Sequence, residues 1–305
     1  MTTLTYGNHP ATEGTVPFRG FHVWYRIVGE REEPGKLPLL CLHGGPGVPH
    51  DYLEPLEALA ATGRRVIFYD QLGCGNSDHP HDPSLWSIRL FVEELATMRQ
   101  ALGLDRVHIL GNSWGGMLAQ EYALTQPSGL ASLVLHSSLA SSPQWVAEAN
   151  RLRAELPPAV QATLLHHEAA GTTDDPAYEE AMTVYYRRHV CRVDPWPACV
   201  VRAFAKLAED PEVYHTMNGP REFHMTGIIK DWDITGRLGE IQVPTLITSG
   251  RYDEATPAIS ETIQRGIPGS EWVLFEQSSH LAHAEEPARF NSVVSDFLAR
   301  VEGTL

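Results

Sequence analysis

Gly111-Asn112-Ser113-Trp114-Gly115 follows the apolar run Val107-His108-Ile109-Leu110 and precedes Gly116-Met117-Leu118-Ala119-Gln120-Glu121-Tyr122. The order is a strand, a glycine-flanked serine and a helix start. Such a turn is a nucleophile elbow, which projects the serine hydroxyl above the end of a sheet. Glycine two positions to either side is a steric demand, because strand and helix backbones come too close there for a Cβ. The pentapeptide recurs by chance in many chains. Its strand–turn–helix setting is what makes Ser113 the candidate nucleophile.

Outward from the elbow, further strand-length apolar runs appear. Residues 21–28 open the series. Pro38-Leu39-Leu40-Cys41-Leu42-His43 ends in Gly44-Gly45-Pro46-Gly47, and Arg65-Val66-Ile67-Phe68-Tyr69-Asp70 ends in Gln71-Leu72-Gly73-Cys74-Gly75. Leu133–His136, 243–249 and 271–275 follow the elbow helix. Continuous apolar strands alternating with helical segments predict an α/β fold, with a mostly parallel sheet covered by helices on both faces. Helices are expected at about 53–62, 85–102, 114–126, 257–265 and 287–301, the last starting at Pro287. From about 140 to 241 the rhythm breaks. That stretch has helical patches at 144–156, 177–192 and 197–208, many prolines and aromatics, and no strong strand. It predicts a helical cap, 140–241, inserted into a discontinuous catalytic core made of 1–139 and 242–305.

The chain of 305 residues carries a formal net charge of −15. A surface of that sign repels nucleic acid and anionic membranes. No apolar run is long enough to span a bilayer, and residues 1–8 lack the pattern of a leader. Cysteines at 41, 74, 191 and 199 form no CxxC pair and are too sparse for a disulfide framework. Cys41 reads as a small core residue. Fifteen histidines invite a search for metal, but His166-His167-Glu168 is no HExxH and no set has zinc-finger spacing. Neither metal nor cofactor is expected, and the cytoplasm is the default compartment.

An elbow serine is followed in chain order by an acid and then a histidine. Asp253 sits in the loop after 243–249, and His280 in the loop after 271–275. Both loops lie at the C-terminal ends of parallel strands, where open sheets build their sites. In this reading His280 takes the Ser113 proton and returns it to the leaving group. Asp253 fixes the imidazole tautomer and stabilises the imidazolium. Glu254 and His283 are the rivals. His280 comes first after its strand, whereas His283 falls on the next helix in a structural role. Acyl transfer also needs donors for the oxyanion, each worth about 3–4 kcal/mol. The backbone N–H of Trp114 supplies one, and the loop His43-Gly44-Gly45-Pro46-Gly47 the other, assigned to Gly45.

Three blocks together give a specific likeness: His43-Gly44-Gly45-Pro46-Gly47, Asp70-Gln71-Leu72-Gly73-Cys74-Gly75-Asn76-Ser77-Asp78 and Gly111-Asn112-Ser113-Trp114-Gly115-Gly116. With Gly219-Pro220-Arg221-Glu222-Phe223, Gly250-Arg251-Tyr252-Asp253-Glu254-Ala255-Thr256-Pro257 and Ser278-Ser279-His280-Leu281-Ala282-His283-Ala284-Glu285-Glu286-Pro287, they resemble the proline iminopeptidase family of α/β-hydrolases. The blocks run from about 38 to 290; the cap's middle, about 140–215, matches no motif. The resemblance implies a serine hydrolase that releases an N-terminal residue, often proline, from short peptides. It also implies carboxylates that hold the substrate amine, at positions Glu222 and Glu254. Physics agrees, since an ammonium in a closed pocket needs paired carboxylates to offset lost hydration. Arg221 departs from the family pattern, in which a short polar residue is usual. The same machinery serves amino-acid amidases and hydrolases of specialised metabolites, so a short peptide and an amino-acid amide are both expected substrates. A ligand receptor with little turnover is a third reading, against which the full Ser113, Asp253 and His280 set argues. Cys74, near the site, predicts thiol sensitivity. Oligomeric state is not legible.

Overall fold

Successive side chains of the central strands feed two apolar cores, one on each face of the sheet. Leu40 and Leu42 enter one core with Ile67, Tyr69 and Ile109, while Leu39 and Cys41 enter the other with Val66, Phe68 and Leu110. This period of two, with both faces apolar, is why these runs read as continuous hydrophobic segments. The computed structural model describes residues 9–304. The stretch 1–8, read above as lacking a leader, lies outside the described residues.

The chain opens with a hairpin, β1 (Ala11–Phe18) and β2 (Phe21–Val28), and continues through β3 (Leu39–Leu42), a 3₁₀ helix (His50–Thr62), β4 (Val66–Tyr69) and α1 (Ile88–Ala101). Next come β5 (Val107–Asn112), α2 (Trp114–Leu124) and β6 (Leu130–His136). The middle third holds α3 (Ser142–Ala154), α4 (Pro158–Ala170), α5 (Pro176–His189), α6 (Ala198–Glu209), α7 (Glu212–Met217) and two 3₁₀ turns. The chain then returns to the sheet with β7 (Thr245–Gly250), α8 (Pro257–Gly266), β8 (Glu271–Phe275), α9 (Ala282–Glu285) and α10 (Pro287–Glu302). One eight-stranded sheet results, in the order β1-β2-β4-β3-β5-β6-β7-β8. The β1–β2 and β2–β4 pairs are antiparallel and every later pair is parallel.

Helices α1, α2 and α8 cover one face; the 3₁₀ helix and α10 cover the other. Several boundaries have local causes. Ser87 caps α1 by accepting from the Leu90 N–H at 3.2 Å, and Pro287 starts α10. The helix expected at 53–62 is instead a 3₁₀ helix from residue 50, with Pro55 inside it. Proline brings no N–H to the ladder, so a regular α-helix cannot pass through. β1 and α4 were not expected. The first is an edge strand containing Pro17; the second starts at Pro157-Pro158 and ends at Gly171 in the left-handed region. No helix among the described residues is long and apolar enough to cross a membrane.

Candidate active site

The elbow forms because its glycines leave no room for anything else. Ser113 has φ 55° and ψ −121°, an unusual conformation for a residue with a Cβ. A Cβ on Gly111 would lie 2.2 Å from the Gly115 oxygen, and one on Gly115 2.2 Å from the Leu42 oxygen. The turn thus aims Ser113 from the end of β5 while seating α2 against β3.

Asp253 follows β7 and His280 follows β8, and both arrive beside the elbow. Asp253 Oδ1 accepts from His280 Nδ1 at 2.7 Å and from the Ala255 N–H at 2.8 Å. This leaves His280 Nε2 free of Asp253, on a residue that lines the same cavity as Ser113. Burial opposes charge on His280, but the Asp253 carboxylate outweighs it and raises the imidazole's pKa. Among the described residues no hydrogen bond yet joins Ser113 Oγ to His280. In unliganded sites that contact commonly tightens only with substrate. The loops are held from the other side by α5, whose His189 carbonyl accepts the N–H groups of both Glu254 and His280 at 3.2 Å. Trp145 of α3 stands edge-on to the His280 ring at 6.0 Å between centroids.

The loop facing the elbow is also organised through backbone groups. The Gly44 N–H donates to the Tyr52 hydroxyl at 2.6 Å, and that hydroxyl donates to Asn112 Oδ1 at 2.8 Å. Gly44 is therefore committed, whereas the N–H groups of Gly45 and Trp114 have no partner among the described residues. Gln71 ties this loop to the elbow: its N–H donates to His43 Nε2 at 2.9 Å and its Oε1 accepts from Trp114 Nε1 at 2.8 Å. Burial keeps His43 neutral, with its pKa lowered to about 4. His283 sits in α9 and contacts His136 Nε2 at 2.9 Å and the Tyr52 carbonyl at 3.0 Å. Burial lowers its pKa to about 3, so it stays a neutral structural group.

Glu222 and Glu254 line the same cavity. Glu254 is fully buried, its Oε1 lies 4.0 Å from His280 Nε2, and neither oxygen accepts a hydrogen bond of ordinary length, the nearby Tyr185 hydroxyl only tempering the upward shift of its pKa. Glu222 Oε1 accepts from the Tyr214 hydroxyl at 2.7 Å, and its carbonyl accepts from Trp145 Nε1 at 2.8 Å. Burial, and for Glu254 the nearby Glu222 and Asp253 carboxylates, push both pKa values up. No lysine or arginine lines this cavity. Arg221 turns away, with Nη1 on the Pro220 carbonyl at 2.8 Å and Nη2 on the Thr173 carbonyl at 3.1 Å.

One sequence expectation resolves differently from its first reading. Cys74 is buried, its Sγ donates to the Gln71 carbonyl at 3.0 Å, and burial raises its pKa well above the ordinary thiol value. A shielded, protonated thiol is a poor nucleophile, so the expected thiol sensitivity has no structural basis at this residue. His50, Asp51 and Glu54 place ligand atoms within 4.8 Å of one another. However, Asp51 already bonds Arg202 and Lys206, at 2.7 and 2.9 Å, and His50 bonds Asp70 at 2.7 Å. Tyr52, His189 and Tyr214 carry no local sequence signal, because only distant chain segments reveal what they touch.

The elbow, the ordered acid and histidine loops and the strand order define an α/β-hydrolase, and the family model for the alpha/beta hydrolase fold matches residues 38–287. The proline iminopeptidase of Lactobacillus helveticus is 42% identical over 290 residues, covering 94% of this chain and 97% of the relative. That of Saccharolobus solfataricus is 41% identical over 290 residues, covering 95% and 93%. Among solved structures, the proline iminopeptidase of Mycobacterium smegmatis superposes with a TM-score of 0.90 at 44% identity, covering 96% of this chain and 99% of that one. VinJ superposes with a TM-score of 0.92 at 45% identity, covering 95% and 99%. This chain belongs to the proline iminopeptidase family, and it is a serine hydrolase.

Proposed function

We propose that this enzyme releases an N-terminal residue, preferentially proline, from short peptides or amino-acid amides through an acyl-enzyme on Ser113. The observation that carries the reading is Glu254: a buried carboxylate whose oxygens accept no hydrogen bond of ordinary length, 4.0 Å from the candidate base. A buried unsatisfied carboxylate is costly. A substrate ammonium or pyrrolidinium placed between Glu254 and Glu222 satisfies both and restores their ionised forms. The anchored amine then sets the first carbonyl of the substrate against Ser113.

Ser113 Oγ attacks that carbonyl as His280 Nε2 accepts its proton, with Asp253 holding Nδ1–H. The N–H groups of Gly45 and Trp114 stabilise the oxyanion. Collapse breaks the amide C–N bond, and His280 protonates the departing amine. Water, deprotonated by His280, then hydrolyses the ester. The route needs neither metal nor cofactor. In this reading 1–139 and 242–305 form the catalytic core, and 140–241 is a cap that closes over the site and excludes long chains. The buried thiols of Cys41, Cys74 and Cys191 are compatible with a reducing compartment, in support of the cytoplasm.

The test is initial rate on prolyl-, alanyl- and leucyl-arylamides and on prolinamide, with Ser113→Ala as the blank. The expected result is fastest release from the prolyl compounds and none from the variant. Equal turnover by Ser113→Ala, or turnover of simple esters alone, overturns the proposal.

A further inference from the structure

The cavity shared by Ser113 and His280 measures about 30 Å³, two to three times the roughly 10–15 Å³ that a single water needs. Two of its lining residues, Phe204 and Glu222, also line a second cavity of about 450 Å³ in the cap. Ser113, His280 and Gly45 line only the small one. The two spaces therefore abut across Phe204 and Glu222.

This placement bears on selectivity. With the amine at Glu222 and Glu254 and the carbonyl at Ser113, the substrate Cα lies between them, and its side chain begins one bond from the amine-bearing carbon. Proline closes its side chain onto its own nitrogen and needs little room beyond that point. A leucyl or phenylalanyl side chain projects past it, toward the wall. Phe204, on α6, is the removable part of that wall. Its ring packs 6.2 Å from Tyr186 and 5.4 Å from Trp196, between centroids. Glu222 is the other part and is pinned by Tyr214. Behind Phe204 the larger cavity presents Met182, Tyr186, Leu207 and Pro211 to a large apolar side chain, alongside the charged Asp174, Glu179 and Arg221.

We propose that Phe204 is the partition that determines which N-terminal residue the enzyme accepts, and that the cap cavity behind it is the closed-off extension of the side-chain pocket. The inference rests on the reading of Glu222 and Glu254 as the amine anchor. The larger cavity's occupant, once the partition is removed, is the side chain of a leucyl or phenylalanyl substrate.

The experiment compares kcat/KM on free-amine prolyl-, alanyl-, leucyl- and phenylalanyl-arylamides for the parent, Phe204→Ala and Phe204→Leu, with thermal melting of each. The phenylalanyl-to-prolyl ratio is expected to rise at least about tenfold in Phe204→Ala, in keeping with what side-chain volume is worth in a pocket. In Phe204→Leu the leucyl-to-prolyl ratio rises by less. Ratios unmoved in both variants overturn the proposal. So does an equal rise on all four substrates, which would make Phe204 an entrance gate without a role in selectivity. If Phe204→Ala does not fold, the Phe204→Leu ratio decides alone. A parent that releases no residue from any of these compounds refutes the proposed function, and the inference with it. An active parent with unmoved ratios refutes the inference alone.

Discussion

At the scale of single residues the site depends on two hydroxyls with different tasks. Ser113 is aimed by a strained turn, and Tyr52 fixes the loop that carries the Gly45 N–H. Removing the Tyr52 oxygen strips Gly44 of its acceptor and frees that loop. Tyr52→Phe is therefore expected to lower kcat by between about ten- and a hundredfold while the protein stays folded, the usual cost of slight misplacement. An unchanged kcat would show that the loop is held by other means. His280 must be neutral to accept the Ser113 proton, and Asp253 raises its pKa above the ordinary value. Activity is then lost as pH falls, with the acid limb of kcat/KM above about 6.5; a limb well below that value contradicts the assignment. Ser113, Asp253 and His280 were legible because each follows its own strand in fixed chain order. Tyr52 was not, since its partner Asn112 lies 60 residues away and no local pattern announces the contact.

Among the elements, α6 of the helical stretch between β6 and β7 is tied to the 3₁₀ helix by ion pairs. Arg202 and Lys206 reach down to Asp51 at 2.7 and 2.9 Å, and Arg202 also pairs with Glu54, both acids lying on the 3₁₀ helix. Asp51 is buried, while its partners are partly solvated. Asp51→Asn should therefore cost about 1–2 kcal/mol, between an exposed and a buried pair. Faster proteolysis within 140–241 and a lowered Tm would register it; a parent-like Tm and cleavage pattern would deny α6 this tethering role. The central strands were legible because burial on both faces makes them uniformly apolar. β1 was not, because six of its eight residues are exposed or half-exposed and its edge tolerates Pro17. α4 carried readable signals in Pro157-Pro158 and Gly171, but an amphipathic pattern was missing, with Leu164 its one buried residue.

Across the whole molecule, the chain's two ends of the core are joined at Glu302. Its carboxylate, on the last turn of α10, accepts from Arg64 Nη1 and the Leu37 N–H at 2.9 Å each and lies 3.4 Å from His108 Nε2. Desolvation works against the ionised form, but these partners lower its pKa to about 2. Because the folded value is depressed below the ordinary one, the stabilisation is complete above about pH 4.5 and is lost as pH falls toward 2. Glu302→Gln should cost about 3 kcal/mol at neutral pH, as breaking a buried pair does. In melting curves the difference from the parent should shrink toward zero across that window; a constant difference would place the charge elsewhere. The larger organisation, a sheet interrupted by a helical insertion, was readable from where the strand rhythm stops. The closure of that insertion into a cavity of about 30 Å³ was not, because it depends on contacts between segments far apart in sequence. The central claim is that buried carboxylates anchor a charged substrate amine beside Ser113. It is tested most directly by kcat/KM on prolyl-arylamide and its N-acetylated twin, for the parent and Glu254→Gln. The account predicts rapid release from the free amine, none from the acetylated compound, and a loss of about a hundredfold in the variant for the free amine alone. Equal turnover of the two compounds by the parent would contradict it.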